Sequence, residues 1–349
     1  GRRRQRQMCI RDRYDDIAIV GLAHVDAPIE IASAAIEDQL SETMSRLNIH
    51  PGLLEGLSGI RARRLWEEGF KPSDAATLAA KKALEASGID KSDLGILINS
   101  SVCRDYIEPS TACIVHGNLQ LDPRCLNFDM GNACLAFINA MDVVSGMIGQ
   151  GRIKMGMIVD GESSRHVLNA TLNRMKDPNL TDAEFRENFA TLTLGSGSAA
   201  IILGSTRDFP DAPRYRGGAH LAATQHSQLC LGTEEKMKTD TKKLLIHGLE
   251  LAGQTYAKAS EALGWGPNTL DELVLHQVSK VHTDQLCNLL GLDTEKALKI
   301  YPTHGNVGPA SVPIVLSKAV EAGRVQKGHR VGLLGIGSGL NCSMCEVAW

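Results

Sequence analysis

The sequence has no apolar run long enough to cross a membrane, and it has few aromatic residues. Aromatic side chains make up 4% of it, and the net charge of -3 comes without the basic stripes and interleaved aromatics that a nucleic-acid partner requires. The sequence therefore argues against a transmembrane segment and against a nucleic-acid partner. Its 34 glycines and 43% hydrophobic residues instead predict a globular protein with a large core, tight turns and closely packed small side chains.

Paired cysteines are also scarce. The nine cysteines are scattered along the chain, and only Cys342 and Cys345 have the CxxC spacing of a zinc or redox motif. That pair lies in an apolar terminal run without a second pair, so we predict two buried free thiols and no metal site. Unpaired thiols are typical of a reducing compartment, and we therefore expect a cytoplasmic protein.

Residues 1–13 differ from the rest of the chain because they are strongly basic. A nucleic-acid arm or a targeting peptide would have this composition. Residues 8–12, however, match the translation of a transposon end used in sequencing libraries, so we interpret residues 1–13 as a non-native artefact segment. We expect the native chain to begin near Tyr14.

Strand-like and helix-like segments alternate along the rest of the chain. Continuous apolar runs such as 94–101 and 153–160 predict buried strands, and the amphipathic segments between them predict helices. The best linker is the stretch 209–213, after which the alternation repeats. We therefore predict an α/β fold with two similar halves, 14–210 and 211–349, each built from βαβ units.

The first candidate functional residue is Cys134, where a short apolar strand turns sharply into an amphipathic helix. Unpaired backbone N–H groups and the positive end of the helix dipole would then face the sulfur and favour the thiolate, which is the nucleophilic form. A cysteine taken alone is more often a small buried apolar residue, so other parts of the sequence must support a functional role.

Three later stretches provide that support. An apolar strand ends on His276, and a Gly-rich turn carries Asn306 into a new helix. Gly337, Ser338 and Gly339 form a turn between two apolar runs, so backbone N–H groups could approach a substrate oxygen there. Together with the cysteine, these residues are the parts of an acyl-transfer site.

At these positions the sequence resembles the thiolase superfamily, specifically its ketoacyl-synthase III-like condensing enzymes. The Cys-His-Asn triad of that family matches Cys134, His276 and Asn306 in order and spacing, and the resemblance runs from Tyr14 to Trp349. It implies two duplicated βαβαβαββ halves in five layers, α-β-α-β-α. It also implies coenzyme A thioester substrates and no cofactor.

The stretch RDYIEPSTA, residues 104–112, is most similar to the OleA subfamily, the acyl-CoA condensing enzymes of long-chain olefin biosynthesis. Decarboxylating relatives lack the glutamate, whereas in OleA-like enzymes the residue matching Glu108 is a general base that one subunit of a homodimer delivers to the other. Pro109 fits the first turn of a helix, so Glu108 directly precedes a helix start.

The resemblance therefore implies a non-decarboxylating Claisen condensation of two fatty acyl-CoA molecules by a homodimer, with downstream olefin-pathway enzymes as further partners. An alternative is a decarboxylating 3-oxoacyl-[acyl-carrier-protein] synthase III, against which Glu108 argues. A third interpretation is a catalytically inactive partner subunit. Such a subunit would have lost the thiol, so the presence of Cys134, His276 and Asn306 argues against it.

The implied roles divide between the two thioesters. Cys134 takes the first acyl group, and its own N–H with a glycine N–H of the 337–339 turn holds the tetrahedral oxyanion. His276 and Asn306 hold the enolate oxygen of the second thioester. Glu108 removes the α proton, a step that a donor losing carbon dioxide does not need.

Coenzyme A itself has candidate contacts in a basic stretch of the first half. Arg61, Arg63 and Arg64 could meet its phosphates, since arginine makes forked phosphate contacts, and Trp66 offers a stacking face for adenine. A solvated charged turn explains the same residues equally well.

Other polar residues at element ends are given no catalytic role. His24, His282 and His304 lie near helix or turn boundaries, where a lone histidine is more often structural. Asn132 and Asn341 are interpreted only as residues that orient the site.

Overall fold

The structure is a computed structural model, and it describes residues 14–233 and 235–349. The interpretation of residues 1–13 as an artefact segment lies outside the described residues. Within them, strands and helices alternate, which confirms the predicted α/β class. The strands are β1 (Ile17–Asp26), β2 (Ile29–Ala32), β3 (Ala62–Leu65), β4 (Leu94–Asn99), β5 (Leu126–Asp129), β6 (Met155–Glu162), β7 (Gly197–Ser205), β8 (Arg214–Ala222), β9 (Cys230–Gly232), β10 (Met237–Thr239), β11 (Glu272–Leu275), β12 (Arg330–Gly337) and β13 (Asn341–Ala348). The helices are α1 (Ser33–Asp38), α2 (Ser41–Arg46), α3 (Leu53–Ser58), α4 (Pro72–Ser87), α5 (Thr111–Leu119), α6 (Ala136–Gly149), α7 (Arg165–Met175), α8 (Asp182–Asn188), α9 (Thr241–Leu263), α10 (Lys280–Leu290), α11 (Tyr301–His304) and α12 (Ser311–Glu321).

Nine of these strands form one continuous sheet in the order β11-β12-β13-β8-β1-β7-β6-β4-β5. In each half the first strand lies antiparallel beside the last, β1 beside β7 and β8 beside β13. The last two strands of each half also pair antiparallel, β6 with β7 and β12 with β13. The halves meet where Ala18 of β1 pairs with Arg214 of β8. This matching order confirms the predicted duplication.

The second half departs from the predicted βαβαβαββ order at one place. The first half has β5 beside β4, whereas the described part of the second half has no strand on the outer side of β11. The Gln277 side chain makes hydrogen bonds to the backbone where that strand would lie. Its Oε1 accepts from the N–H groups of Ile300 and Tyr301 at 2.8 and 3.0 Å, and its Nε2 donates to the Leu298 carbonyl at 2.6 Å. The buried Gln277 amide thus satisfies two backbone N–H groups and one backbone carbonyl. These groups therefore do not need a neighbouring strand as their hydrogen-bond partner.

Helices fill three layers, and the two halves of the sheet fill the other two. In the middle layer, α6 and α12 bury Phe137 and Ile314 between strands of both halves. On the outside, α4 and α5 cover the first half, while α9 and α10 cover the second. This is the predicted five-layer α-β-α-β-α arrangement.

Small side chains let the outer helix α4 lie close to the sheet. Ala76, Ala79 and Ala80 are fully buried on the face that α4 turns toward the strands. A Cβ on Gly161 of β6 would stand 2.1 Å from the Pro72 carbonyl oxygen, so only glycine fits at that contact. The glycine-rich, aromatic-poor composition therefore corresponds to close approach of backbones.

The linker predicted at 209–213 lies between the two halves, since β7 ends at Ser205 and β8 begins at Arg214. We propose that the boundary falls between residues 210 and 211, where no strand or helix would be interrupted.

Two predictions from composition can be compared with the described residues. Cys342 and Cys345 are buried free thiols on β13, as predicted. Among the residues that the structure describes, no helix is both long enough and apolar enough to span a membrane.

Candidate active site

Cys134 lies in a tight turn between β5 and α6. The turn begins at Ala133, whose φ of +47° reverses the chain, and the following Leu135 is buried. Gly337, at the end of β12, lies against it: a Cβ there would stand 3.4 Å from the Cys134 backbone nitrogen. The second half therefore brings a glycine to the cysteine turn, as the sequence predicts.

A cavity of about 1180 Å³ opens beside this turn. Cys134, His276 and Asn306 line it, together with Gly337 and Ser338. The volume exceeds the roughly 300–1,000 Å³ of typical small-molecule sites, so there is room for long flexible ligands. The structure thus brings residues of both halves together in one site.

The charge state of Cys134 differs from the prediction. Burial, together with the nearby Cys230 and Glu162, raises the pKa of its thiol to about 12. The expectation that the helix dipole keeps a thiolate is wrong for this structure, because the sulfur is desolvated in the cavity and desolvation favours the neutral thiol. The thiol is protonated at neutral pH and must lose its proton during acyl transfer.

His276 follows β11 directly, and its backbone N–H donates to the Leu334 carbonyl at 2.8 Å. Burial and the nearby His282 lower the pKa of its imidazole to about 4, although a hydrogen bond with the Gly308 backbone opposes them. The imidazole is therefore neutral at pH 7, and Nδ1 has no partner among the described residues. A neutral imidazole in this cavity can accept the thiol proton.

Asn306 is fixed by contacts with the first half of the chain. Its backbone N–H donates to the Thr193 carbonyl at 2.9 Å, and its carbonyl accepts from the Gly195 N–H at 2.8 Å. Its side-chain Oδ1 accepts from the Gly308 N–H at 3.0 Å. Since the oxygen is occupied, the Nδ2 group is the donor that Asn306 can offer to a substrate oxygen.

Glu108 is exposed and does not line the cavity of its own chain. The loop that carries it is nevertheless fixed by hydrogen bonds to the segment before and at the start of α4. Asp105 accepts from the Ser73 N–H at 2.9 Å and from the Ser73 hydroxyl at 2.5 Å, and Lys71 Nζ donates to the Tyr106 hydroxyl at 2.7 Å. Glu108 therefore lies apart from the other predicted catalytic residues, at the surface, on a loop fixed by hydrogen bonds.

The predicted stacking of adenine on Trp66 is wrong for this structure. Trp66 is only 3% exposed, because its ring stacks on Phe70 at 4.8 Å and its Nε1 donates to the Glu162 carbonyl at 2.9 Å. The predicted phosphate contact of Arg63 is also wrong, because its side chain is fully buried and donates to the Ser33 hydroxyl and the Leu192 carbonyl. Arg61 and Arg64 do not line the cavity, and their contact with coenzyme A stays a prediction.

The cavity wall differs from the sequence prediction at two places. Gly339 does not line it, whereas Leu340 does. Glu162, which sequence reasoning missed, lines it with a buried carboxylate that accepts from the N–H groups of Val102 and Cys103 at 2.6 and 3.3 Å. Burial raises its pKa, which those hydrogen bonds oppose. The available signal was an acidic residue at the end of a strand that is otherwise fully buried.

The two asparagines interpreted as orienting residues do meet. Asn341 Nδ2 donates to Asn132 Oδ1 at 3.2 Å, and Asn132 Nδ2 donates to Asn139 Oδ1 at 2.7 Å. Asn132 lies two residues before the cysteine, so these bonds connect the nucleophile turn to β13 and α6.

A separate polar cluster lies under α6. Asp142, His220 and Cys345 place potential metal-ligand atoms within 4.8 Å of one another. His220 Nε2 is 2.8 Å from Asp142 Oδ2, and the Tyr215 hydroxyl donates to Asp142 Oδ1 at 2.8 Å. Although burial opposes it, the interactions with Cys345 and Asp142 raise the pKa of His220 to about 11. We interpret this cluster as an internal ion-paired network.

The buried neutral state of His276 predicts acid sensitivity. The folded pKa of about 4 lies below the unfolded value of 6.5, so the unfolded chain binds the proton first as the pH falls. Stability is full above pH 6.5 and is lost down to pH 4, by up to about 3 kcal/mol. Urea unfolding should therefore show a smaller acid-induced loss for His276→Asn than for the wild type. Equal losses in the two proteins would contradict the buried neutral assignment.

The chain is similar to known proteins over nearly its whole length. Residues 260–349 match the family model described as 3-oxoacyl-[acyl-carrier-protein (ACP)] synthase III C terminal. An acyl-CoA:acyl-CoA alkyltransferase from Xanthomonas campestris is 50% identical, over 96% of this chain and 99% of its own length. A second, from Shewanella oneidensis, is 35% identical, over 97% and 100%. A β-ketoacyl-[acyl-carrier-protein] synthase III from Natranaerobius thermophilus is 26% identical, over 84% and 89%.

The solved structures agree with the sequence matches. Cerulenin-bound Xanthomonas campestris OleA superposes with a TM-score of 0.95 at 50% identity, covering 97% of this chain and 98% of that one. Variants of the same enzyme carry replacements of a cysteine, a glutamate and a histidine. Those three residues are spaced along that chain as Cys134, Glu108 and His276 are along this one. With this identity over nearly its whole length, the chain belongs to the OleA family of thiolase-like condensing enzymes, the acyl-CoA:acyl-CoA alkyltransferases.

Proposed function

We propose that this protein joins two fatty acyl-CoA molecules head to head in a Claisen condensation without decarboxylation, giving a 2-alkyl-3-ketoacyl-CoA. The substrates are coenzyme A thioesters. The observation that carries this function is the full-length relationship to acyl-CoA:acyl-CoA alkyltransferases in a chain whose cysteine, histidine and asparagine share one large cavity. The decarboxylating alternative has the weaker support, since its relative is the more distant one.

In the first half-reaction, the Cys134 sulfur attacks the carbonyl carbon of one acyl-CoA. Because the thiol is protonated, its proton passes to the neutral imidazole of His276. The backbone N–H of Cys134 and a neighbouring N–H of the Gly337 turn are the proposed donors to the tetrahedral oxyanion. The carbon–sulfur bond to coenzyme A then breaks, and the leaving thiolate takes the proton from His276.

In the second half-reaction, a carboxylate removes the α proton of another acyl-CoA. The enolate oxygen accepts hydrogen bonds from His276 and from Asn306 Nδ2. The α carbon attacks the carbonyl of acyl-Cys134 and the bond to sulfur breaks. The cysteine thiolate then takes up the proton that the carboxylate removed, which regenerates both groups. The proposed base is Glu108 of the partner subunit, because the same residue in its own chain lies outside the cavity.

A homodimer is supported by the sheet edge next to the Glu108 loop. The strand β5 lies at the end of the sheet, and its Leu126 and Phe128 side chains are exposed. Its Asp129 carboxylate accepts from the backbone N–H groups of Thr111 and Ala112, which directly follow the loop, at 3.0 and 2.8 Å. An exposed apolar edge strand is a template for pairing with a second copy, which would carry the attached loop to the partner.

Mixing of inactive subunits tests this arrangement. Glu108→Ala retains Cys134, and Cys134→Ala retains the base, so each parent dimer is expected to be inactive in condensation. A mixed dimer contains one complete site, and mixed subunits should therefore recover activity as they exchange. Exchange is followed by mass-tagging one parent. Proven exchange without recovery would mean that Glu108 acts within its own chain.

Product analysis tests the function itself. Incubation with palmitoyl-CoA alone should give a product with the mass of a 2-alkyl-3-ketoacyl-CoA, or of the ketone formed after its hydrolysis and decarboxylation. Malonyl-acyl carrier protein supplied with palmitoyl-CoA serves as the competing donor. A preference for that donor, with one carbon dioxide released per product, would establish the decarboxylating synthase instead.

Three further features are proposed with the function. We propose a cytoplasmic location, in keeping with the free thiols of the cysteines that the structure describes. We propose that catalysis needs no cofactor, since cysteine, histidine, asparagine and glutamate supply each step. We propose downstream olefin-pathway enzymes as partners, because the ketoacyl product needs further conversion before it becomes a hydrocarbon.

A further inference from the structure

Side chains of the long helix α9 and of strand β12 form part of the cavity wall, and we call the space beside them the arm of the cavity. It is apolar: Leu244 and Ala252 of α9 line it, and Ile336 of β12 and Leu286 of α10 also face it. Cys134 lines the same cavity, so an acyl chain bound to its sulfur can extend into this arm. The side chains along it therefore determine how much chain fits.

Gly248 lies on the same face of α9, four residues from both Leu244 and Ala252, and it lines the cavity. It is buried in the interior of a 23-residue helix. Glycine is, after proline, the least favourable residue for such a position, so a helix requirement does not explain it. The limited space explains the glycine, because a Cβ at this position would project toward Ile336 Cδ1 at 3.1 Å.

That contact is with the flexible end of a side chain that itself lines the cavity. A methyl group at 248 would therefore be accommodated at the expense of cavity space, by displacing Ile336 or by entering the arm. A larger side chain would enter the arm itself. We propose that Gly248 is a specificity-determining residue, whose missing side chain keeps the arm open for long acyl chains.

This inference rests on the proposed function, and it is tested on the acylation of Cys134. Wild type, Gly248→Ala and Gly248→Leu are incubated with octanoyl-, lauroyl-, palmitoyl- and stearoyl-CoA, and intact mass follows the rate of adduct formation. The matched control is Gly253→Ala on the same helix. Gly253 does not line the cavity, and a Cβ there meets its nearest neighbour, Leu289, only at 3.9 Å.

Both alanine variants gain helix propensity, and thermal melting checks that all variants are folded. In Gly248→Leu, the ratio of the stearoyl rate to the octanoyl rate should fall by at least about tenfold, the scale on which apolar pockets discriminate single methylenes. Gly248→Ala should show a smaller fall, and Gly253→Ala should keep the wild-type ratio.

An unchanged ratio in folded Gly248→Leu would overturn the inference while leaving the proposed function standing. An equal fall in Gly253→Ala would also overturn it, since the effect would then come from the helix and not from the arm. If the wild type forms no adduct with any acyl-CoA, the proposed function fails, and this inference fails with it.

Discussion

Cys134→Ala is expected to abolish the acyl adduct and to lower condensation on the order of a millionfold, the scale reached when a catalytic nucleophile is removed. In the proposed mechanism Cys134 carries the acyl group, and the two other cavity-lining thiols, Cys103 and Cys230, take no part in acyl transfer. Intact-mass analysis after incubation with lauroyl-CoA measures the adduct, and product formation measures turnover.

The matched control for this experiment is Cys113→Ser. Cys113 is an exposed thiol on α5, and it would be acylated first if the reaction were a non-specific exchange with accessible cysteines. We expect Cys113→Ser to carry the same adduct as the wild type. An adduct that persists in Cys134→Ala would refute the assignment of the nucleophile.

Glu108→Gln is expected to lower condensation by about a hundredfold to ten-thousandfold, as is usual for loss of a general base, while acylation of Cys134 continues. Glutamine keeps the size and hydrogen-bonding shape of the side chain but has no basic oxygen. A loss confined to the second half-reaction therefore separates proton abstraction from substrate binding. Single-turnover acylation and steady-state product formation are measured on the same preparation.

Glu85→Gln is the charge control, since Glu85 is an exposed glutamate of α4 outside the cavity. It should leave both half-reactions unchanged. If Glu108→Gln condenses at the wild-type rate, the base is another group. Glu162 would then be the first candidate, because its carboxylate lines the cavity.

The positions of the triad could be predicted from the sequence because each member stands where a regular element ends. Cys134 follows the strand β5, His276 follows β11, and Asn306 lies in a glycine turn. Residues at strand ends of an α/β fold can converge on one site, but it was the resemblance to thiolase-like condensing enzymes that grouped these three as a triad.

Properties that depend on distant neighbours could not be predicted in this way. The residue type of Trp66 suggested a stacking surface, but its burial depends on contacts with Phe70 and with the end of β6. The protonated state of Cys134 likewise follows from desolvation by residues of both halves. Gln277 replaces a predicted strand through bonds to the 298–301 backbone, and no periodicity reveals such a substitution.

The Asp129 carboxylate joins the edge strand β5 to the start of α5, directly after the loop that carries Glu108, the proposed base. Under the proposed dimer, a newly synthesised subunit can load an acyl group onto its own thiol yet has no base above it. Carbon–carbon bond formation then has to wait for assembly, whereas loading does not. Dimer formation thereby determines when a bound acyl group can enter the carbon–carbon bond-forming step. A subunit that has not dimerised consumes only a single acyl group.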